Sequence, residues 1–185
     1  MKKISTLFKK NINDLSRVVN EINPENEWVI NGESIPTRKF DGSAAAIIGG
    51  ELYKRYDVKK GKAAPDGAIP CQEADPITGH HPHWLKCDRL KGEDKYFFDG
   101  FDILELKEDG TYELCGEKVQ GNKESIIGHR LVKHGSVVLD IPILTFEYLK
   151  EYLSSNNNDI EGIVFNHKTD GRMCKLRKSD FGIRR

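Results

Sequence analysis

Four short stretches carry side chains able to do chemistry: Lys39-Phe40-Asp41-Gly42, Glu113-Leu114-Cys115-Gly116, Glu161-Gly162-Ile163-Val164 and Lys175-Leu176-Arg177. A lysine amine becomes a nucleophile when neighbouring cations or removal from water lower its pKa. Arg38 is adjacent to Lys39 in sequence, and Lys175 is a candidate neighbour in space. A nucleotide phosphate calls for cations on its oxygens and a carboxylate-held divalent metal. A ribose hydroxyl calls for an acceptor, commonly a glutamate. Taken singly, each stretch is weak, and Lys39 alone reads as a solvated lysine before an Asp-Gly turn. Taken in order, on strands or their ends, they supply every part of such a site.

The elements that must position these residues read as follows. Residues 4–22 carry Ile4, Leu7, Phe8, Ile12, Leu15, Val19 and Ile22 at helical spacing. Asn11, Asn13 and Asn20 weaken that helix, and Val18-Val19 suits the start of a strand. Residues 44–48 and 51–56 flank Gly49-Gly50 and predict a hairpin with a two-residue turn. In that register Arg55 faces Ala44 and Tyr53 faces Ala46, and the small alanines leave space beside Arg55. Residues 58–88, rich in Gly, Pro, Lys and His, read as a long loop, and such loops are commonly functional. Residues 96–106 and 111–115 read as strands, 143–153 as a helix, and Asn156-Asn157-Asn158-Asp159 as a turn. A last hairpin joins 162–166 to 173–178 through Thr169-Asp170-Gly171. Strands outnumber helices, so the class is α+β.

The 185 residues suit a single domain. Lys plus Arg number 29 and Asp plus Glu 29, so a generic polyanion binder is excluded and any phosphate site must be a local patch. No apolar run approaches the ~20 residues that span a bilayer. The opening Met1-Lys2-Lys3-Ile4-Ser5-Thr6-Leu7 lacks the apolar stretch of a secretory signal. Cys71, Cys87, Cys115 and Cys174 are far apart, which predicts no disulfide framework or disulfide-linked partner and a reducing cytoplasm.

As an ordered set, the four stretches resemble those of the covalent nucleotidyltransferases: ATP-dependent RNA and DNA ligases and GTP-dependent capping enzymes. Lys39-Phe40-Asp41-Gly42 is similar to their motif I, Tyr53-Lys54-Arg55 to the arginine-bearing strand that follows, and the other three to motifs III, IV and V. Glu27-Trp28-Val29, Pro70-Cys71-Gln72-Glu73, Asp75-Pro76-Ile77-Thr78-Gly79-His80 and Gln120-Gly121-Asn122 resemble small single-domain RNA ligases more closely still. Arg177 stands where the family's motif V usually has a second lysine, a planar fork replacing a point donor. Only seven residues follow Lys178, so the expectation is one adenylation domain over 1–185 without a C-terminal OB-fold domain.

The resemblance implies a nucleotidyltransferase fold, two mainly antiparallel sheets flanked by helices with a nucleotide cleft between them. It implies an ATP-dependent RNA ligase, a monomer with no membrane attachment, joining 5′-phosphate and 3′-hydroxyl RNA ends with Mg²⁺ or Mn²⁺. Lys39 would be the nucleophile that takes AMP, with Lys175 and Glu161 catalytic beside it and Glu161 at the metal. Thr37, Arg38, Arg55, Glu113, Ile163 and Arg177 would contact the nucleotide, Glu113 at the ribose, and the rate would rise with pH above neutrality. A base-stacking aromatic is expected among His134, Phe146 and Tyr148. The alternatives are a GTP-using capping-type transferase, a DNA nick ligase and a non-catalytic nucleotide- or RNA-binding module. His80, His81, His83 and Cys87 read as a loop with polar or RNA-contacting histidines in preference to a zinc site. Bringing Lys175 and Arg177 to the face of Glu161 and Ile163 predicts a three-residue last turn, pairing Ile163 with Arg177 and Phe165 with Lys175.

Overall fold

The computed structural model describes residues 4–76, 78–155 and 157–185. Met1 to Lys3 of the opening, Ile77 of the long loop and Asn156 of the Asn-rich turn lie outside the described residues. Along the chain run β1 (Ser5–Thr6), β2 (Phe8–Asn11), β3 (Asp14–Ile22), β4 (Ser34–Lys39), β5 (Ser43–Ile48), β6 (Glu51–Val58), β7 (Ile69–Pro70), β8 (His81–Lys86), α1 (Lys95–Asp102), β9 (Gly110–Gly116), β10 (His129–Lys133), α2 (Phe146–Ser154), β11 (Gly162–His167) and β12 (Met173–Arg177). The class is α+β, mostly sheet with few helices. Among the described residues no helix is long and apolar enough to cross a membrane. None of the four cysteines forms a disulfide.

The chain forms two compact units, one of Asp41–His134 and one of Ile4–Phe40 with Gly135–Arg185. In the first, a six-stranded sheet of order β10-β9-β5-β6-β8-β7 packs Ala45, Ile47, Leu52, Tyr112, Leu114 and Leu131 against aromatic residues of α1. The Gly49-Gly50 turn is as expected, Ile48 pairing with Glu51 and Ala46 with Tyr53, with both glycines at positive φ. Part of the expected long loop is strand: β8 pairs over its full length with residues 53–58 of β6, and β7 adds to β8. Residues 96–106 are not a strand. Phe97, Phe101 and Leu104 recur at helical spacing and pack in the core, and Gly100 approaches the Leu131 backbone where a Cβ would meet its nitrogen at 3.0 Å. The aromatic content suggested β, and packing decided otherwise.

In the second unit, a four-stranded sheet has order β1-β12-β11-β4, with β1 parallel to β12 and the other pairs antiparallel. Residues 4–22 are strands, not a helix: β1, then the β2–β3 ribbon. Leu7, Phe8 and Val18 enter the core, whereas Ile12 and Leu15 are 89% and 70% exposed, so the apparent helical stripe is not one buried face. At the ribbon's tip the Asn13 N–H donates to Asn11 Oδ1, a local bond that competes with helix formation. α2 forms within the expected span, capped by Thr145, which accepts from the Tyr148 N–H, and it buries Leu149 and Leu153.

The last hairpin differs from expectation by one residue. Gly162 pairs with Arg177, Val164 with Lys175 and Phe165 with Cys174. The His167 N–H donates to Arg172 O, which closes a four-residue loop over 168–171 with Gly171 at φ 75°. The core explains the register. Ile163, Phe165, Cys174 and Leu176 are all fully buried, and only this pairing sends the four to one face. Ile163 therefore points away from the face that carries Lys175 and Arg177.

Gly162 has no room for a side chain, because a Cβ would lie 2.3 Å from Leu176 O and 2.8 Å from Arg177 Cα. Gly162→Ala should lower the urea midpoint, a loss of about 1–3 kcal/mol as for other overpacked sites. Gly92→Ala, where a Cβ meets nothing within 4 Å, should leave it nearly unchanged. Equal midpoints in urea melts followed by circular dichroism would contradict this close packing.

Candidate active site

The second unit gathers most of the reactive groups on the sheet face opposite its core. Lys39 pairs with Gly162, and Gly162 with Arg177, so Lys39 and Arg177 flank a position without a side chain. The next row is Thr37, Val164 and Lys175. Glu161 precedes β11, free of its alternation, and its Oε2 lies 2.5 Å from Lys39 Nζ. This proximity survives the revised register because Glu161 lies outside the paired strand.

Lys175 is the strained cation of this face. Burial lowers its pKa, and the charges of Arg177 and Lys39 lower it further, to about 8. Among the described residues no carboxylate oxygen lies within 4.0 Å of its ammonium. Arg177 is offset more directly by Asp180, which is fully buried. Arg177 donates from its backbone N–H to Oδ2 at 2.8 Å and from Nη2 to Oδ1 at 3.1 Å, and Lys10 Nζ adds a 2.7 Å contact. Burial alone would raise the Asp180 carboxyl, but the bonds from Arg177 and Lys10 outweigh it and hold the group below the usual range. Sequence reasoning missed Asp180 and Lys10. Only the three-residue spacing from Arg177 to Asp180, in the short 3₁₀ helix Lys178–Phe181, hinted at the first.

Three further residues expected to contact a nucleotide have other partners. Thr37 is buried, its hydroxyl donating to Val164 O and accepting from Asn166 Nδ2. Arg38 alternates with Lys39, pairs with Ile163, and lays its guanidinium 4.7 Å from the Phe40 ring centre. Ile163 is a core side chain.

The first unit carries Glu113 and Arg55. Glu113 on β9 pairs with Ala44, and Arg55 on β6 with Trp84, in one sheet with β5 between β9 and β6. Arg55 donates from Nε to Asp57 at 3.0 Å and borders a pocket of about 240 Å³ together with Gln72, Asp75, Thr78 and His80. Asp41 accepts from Lys123 at 3.0 Å, and its N–H donates to Glu124. His134 hydrogen-bonds Glu113, whereas Phe146 stacks edge-on between Phe8 and Phe181 in the other unit's core. The His81 and His83 rings are 4.2 Å apart, and His83 Nδ1 lies 2.8 Å from His81 O. Among the described residues no group of three His, Cys, Asp or Glu is placed to hold a metal ion. A single carboxylate still fits Mg²⁺, which commonly takes one or two carboxylates and completes its shell with substrate phosphates and water. Glu161 is such a carboxylate.

No family model and no curated protein matches the chain.

A buried cation without a carboxylate partner costs stability. Lys175→Met should therefore raise the unfolding midpoint at pH 7. Lys175 is charged in both states below about pH 8, so the cost is fully present there. As pH rises from about 8 to the unfolded value of 10.5 the folded state alone loses the proton, and the advantage of methionine should shrink. A Met variant no more stable than the parent at any pH in thermal melts would contradict the strained cation.

Proposed function

We propose that this chain is an ATP-dependent RNA ligase with a nucleotidyltransferase fold, acting on RNA ends through a lysyl-AMP intermediate. One observation carries the reading: Lys39 Nζ lies 2.5 Å from Glu161 on a sheet face that also presents Lys175 and Arg177. An amine beside a carboxylate, on a face with a cation that no carboxylate contacts, suits attack on a phosphate.

In the first step the Lys39 nitrogen attacks the α-phosphate of ATP. A P–N bond forms, the bond from that phosphorus to the bridging oxygen breaks, pyrophosphate leaves, and the nitrogen gives up its proton. Glu161 orients the amine and lies within reach of that proton. Lys175 meets the developing negative charge, and Arg177, already held by Asp180, sets a fixed donor beside it. The AMP then passes to an RNA 5′-phosphate, which frees Lys39. A 3′-hydroxyl attacks the activated phosphate and expels AMP. A divalent ion, Mg²⁺ or Mn²⁺, supplies further neutralisation of the phosphates, and Glu161 is the residue that would hold it. Glu113 and Arg55 are the groups proposed to recognise the sugar.

With α-labelled ATP and Mg²⁺, the protein should retain label after denaturation. Lys39→Ala should retain none, excess chelator should abolish labelling, and α-labelled GTP should label poorly. Unlabelled parent protein would overturn the ligase reading, and a GTP preference would replace it with the capping type. Lys175 provides a second readout. A bound polyphosphate stabilises its ammonium, so ATP binding should take up a proton between about pH 8 and 10, where the free protein has lost it. Calorimetry in buffers of different ionisation enthalpy should show that uptake, and Lys175→Met should remove it.

A further inference from the structure

Glu113 is only 8% exposed, and a carboxylate so enclosed has to be held by donors. Its partner comes from 21 residues away: His134 Nε2 lies 2.9 Å from Glu113 Oε2. The other ring nitrogen, Nδ1, lies 2.9 Å from Thr111 Oγ1, and the His134 N–H donates to Thr111 O at 3.0 Å. Thr111 and Glu113 are two apart on β9 and so share a face, which the imidazole spans. A carboxylate only accepts, so this network assigns the proton to Nε2; in the neutral ring Nδ1 then accepts from the Thr111 hydroxyl.

Glu113 pairs with Ala44 on one side and Val132 on the other, and Gly42 packs so closely that a Cβ there would come within 2.8 Å of Glu113 Cγ. One carboxylate oxygen is thus tied to His134, while Oε1 takes no part in that bond. The contacts of both ring nitrogens fix the orientation of the His134 ring.

We infer that His134, steadied by Thr111, is a positioning residue that pins Glu113 Oε2 and presents Oε1 to a ribose hydroxyl, setting the preference for ribonucleotides. This rests on the proposed role of Glu113 in sugar recognition. The relay has a specific signature: loss of His134 should erode discrimination between sugars rather than slow every nucleotide equally.

The test compares initial rates of Lys39 adenylation with ATP, 2′-deoxy-ATP and 3′-deoxy-ATP. The parent protein should discriminate against at least one deoxy analogue. His134→Ala should reduce that discrimination by roughly tenfold or more, the scale of a lost hydrogen bond to a charged group. His134→Gln, which keeps a donor near Nε2, should restore most of it, and Thr111→Val should give a partial loss. Folding is checked by thermal melts. Should the alanine variant not fold, the glutamine and valine variants decide. Equal slowing with all three nucleotides, or discrimination untouched in folded variants, would overturn the relay while leaving the lysyl-adenylate intact. A parent that adenylates with all three alike would also overturn it. No adenylate from the parent would instead remove the ligase reading on which the relay rests.

Discussion

Three cations share one face of a small sheet, and their mutual repulsion is the constraint around which the second unit is organised. Lys39 sits on β4 and Lys175 and Arg177 on β12, to either side of β11. Glu161 answers the first at 2.5 Å and Asp180 the third at 3.1 Å. Lys175 has neither so close, and burial, with the charges of Arg177 and Lys39, lowers its pKa to about 8. A protein selected for stability alone would place a neutral side chain there. A bound phosphate would supply that countercharge, which is the physical link from the fold to the proposed phosphoryl chemistry.

Glycine is the second device. Gly162 opens the row between Lys39 and Arg177, and the neighbouring backbone leaves no room for a Cβ. Gly42 does the same beside Glu113 in the other unit, where Leu114 O would lie 2.1 Å from an added Cβ. Both glycines belong to the stretches that suggested a nucleotidyltransferase. Their requirement is steric and holds whatever ligand the protein takes, whereas the charges are where a ligand is needed. Stability and proposed function thus draw on adjacent residues of the same short motifs.

The hairpin over 162–177 shows how closely the two are balanced. One face must bury Ile163, Phe165, Cys174 and Leu176, and the opposite face receives Lys175 and Arg177. A shift of one residue would send apolar groups outward and cations inward. Glu161 reaches Lys39 from just outside the strand, so the carboxylate and the cations meet although their strand positions alternate differently.

The primary structure by itself determined which reactive groups are present and their order: a lysine before Asp-Gly, two glutamates before short apolar runs, and a closing Lys-Leu-Arg. It also determined the Gly-Gly turn, the strand at 111–115 and the helix near 146–154, because turn residues, alternation and a Thr cap act locally. Three features were settled only in the folded chain. Residues 4–22 became strands because β1 lies against β12 and the ribbon's tip is exposed. Residues 95–102 became a helix because its aromatic side chains pack over β9 and β10. The last loop took four residues because four apolar side chains had to share a face. The same holds for the partners Asp180 and His134, one buried under Arg177 and the other joined to Glu113 across 21 residues. Non-local burial and pairing decide such matters: His134 and Glu113 lie far apart in sequence, and although Asp180 is only three residues from Arg177, its burial depends on the rest of the unit.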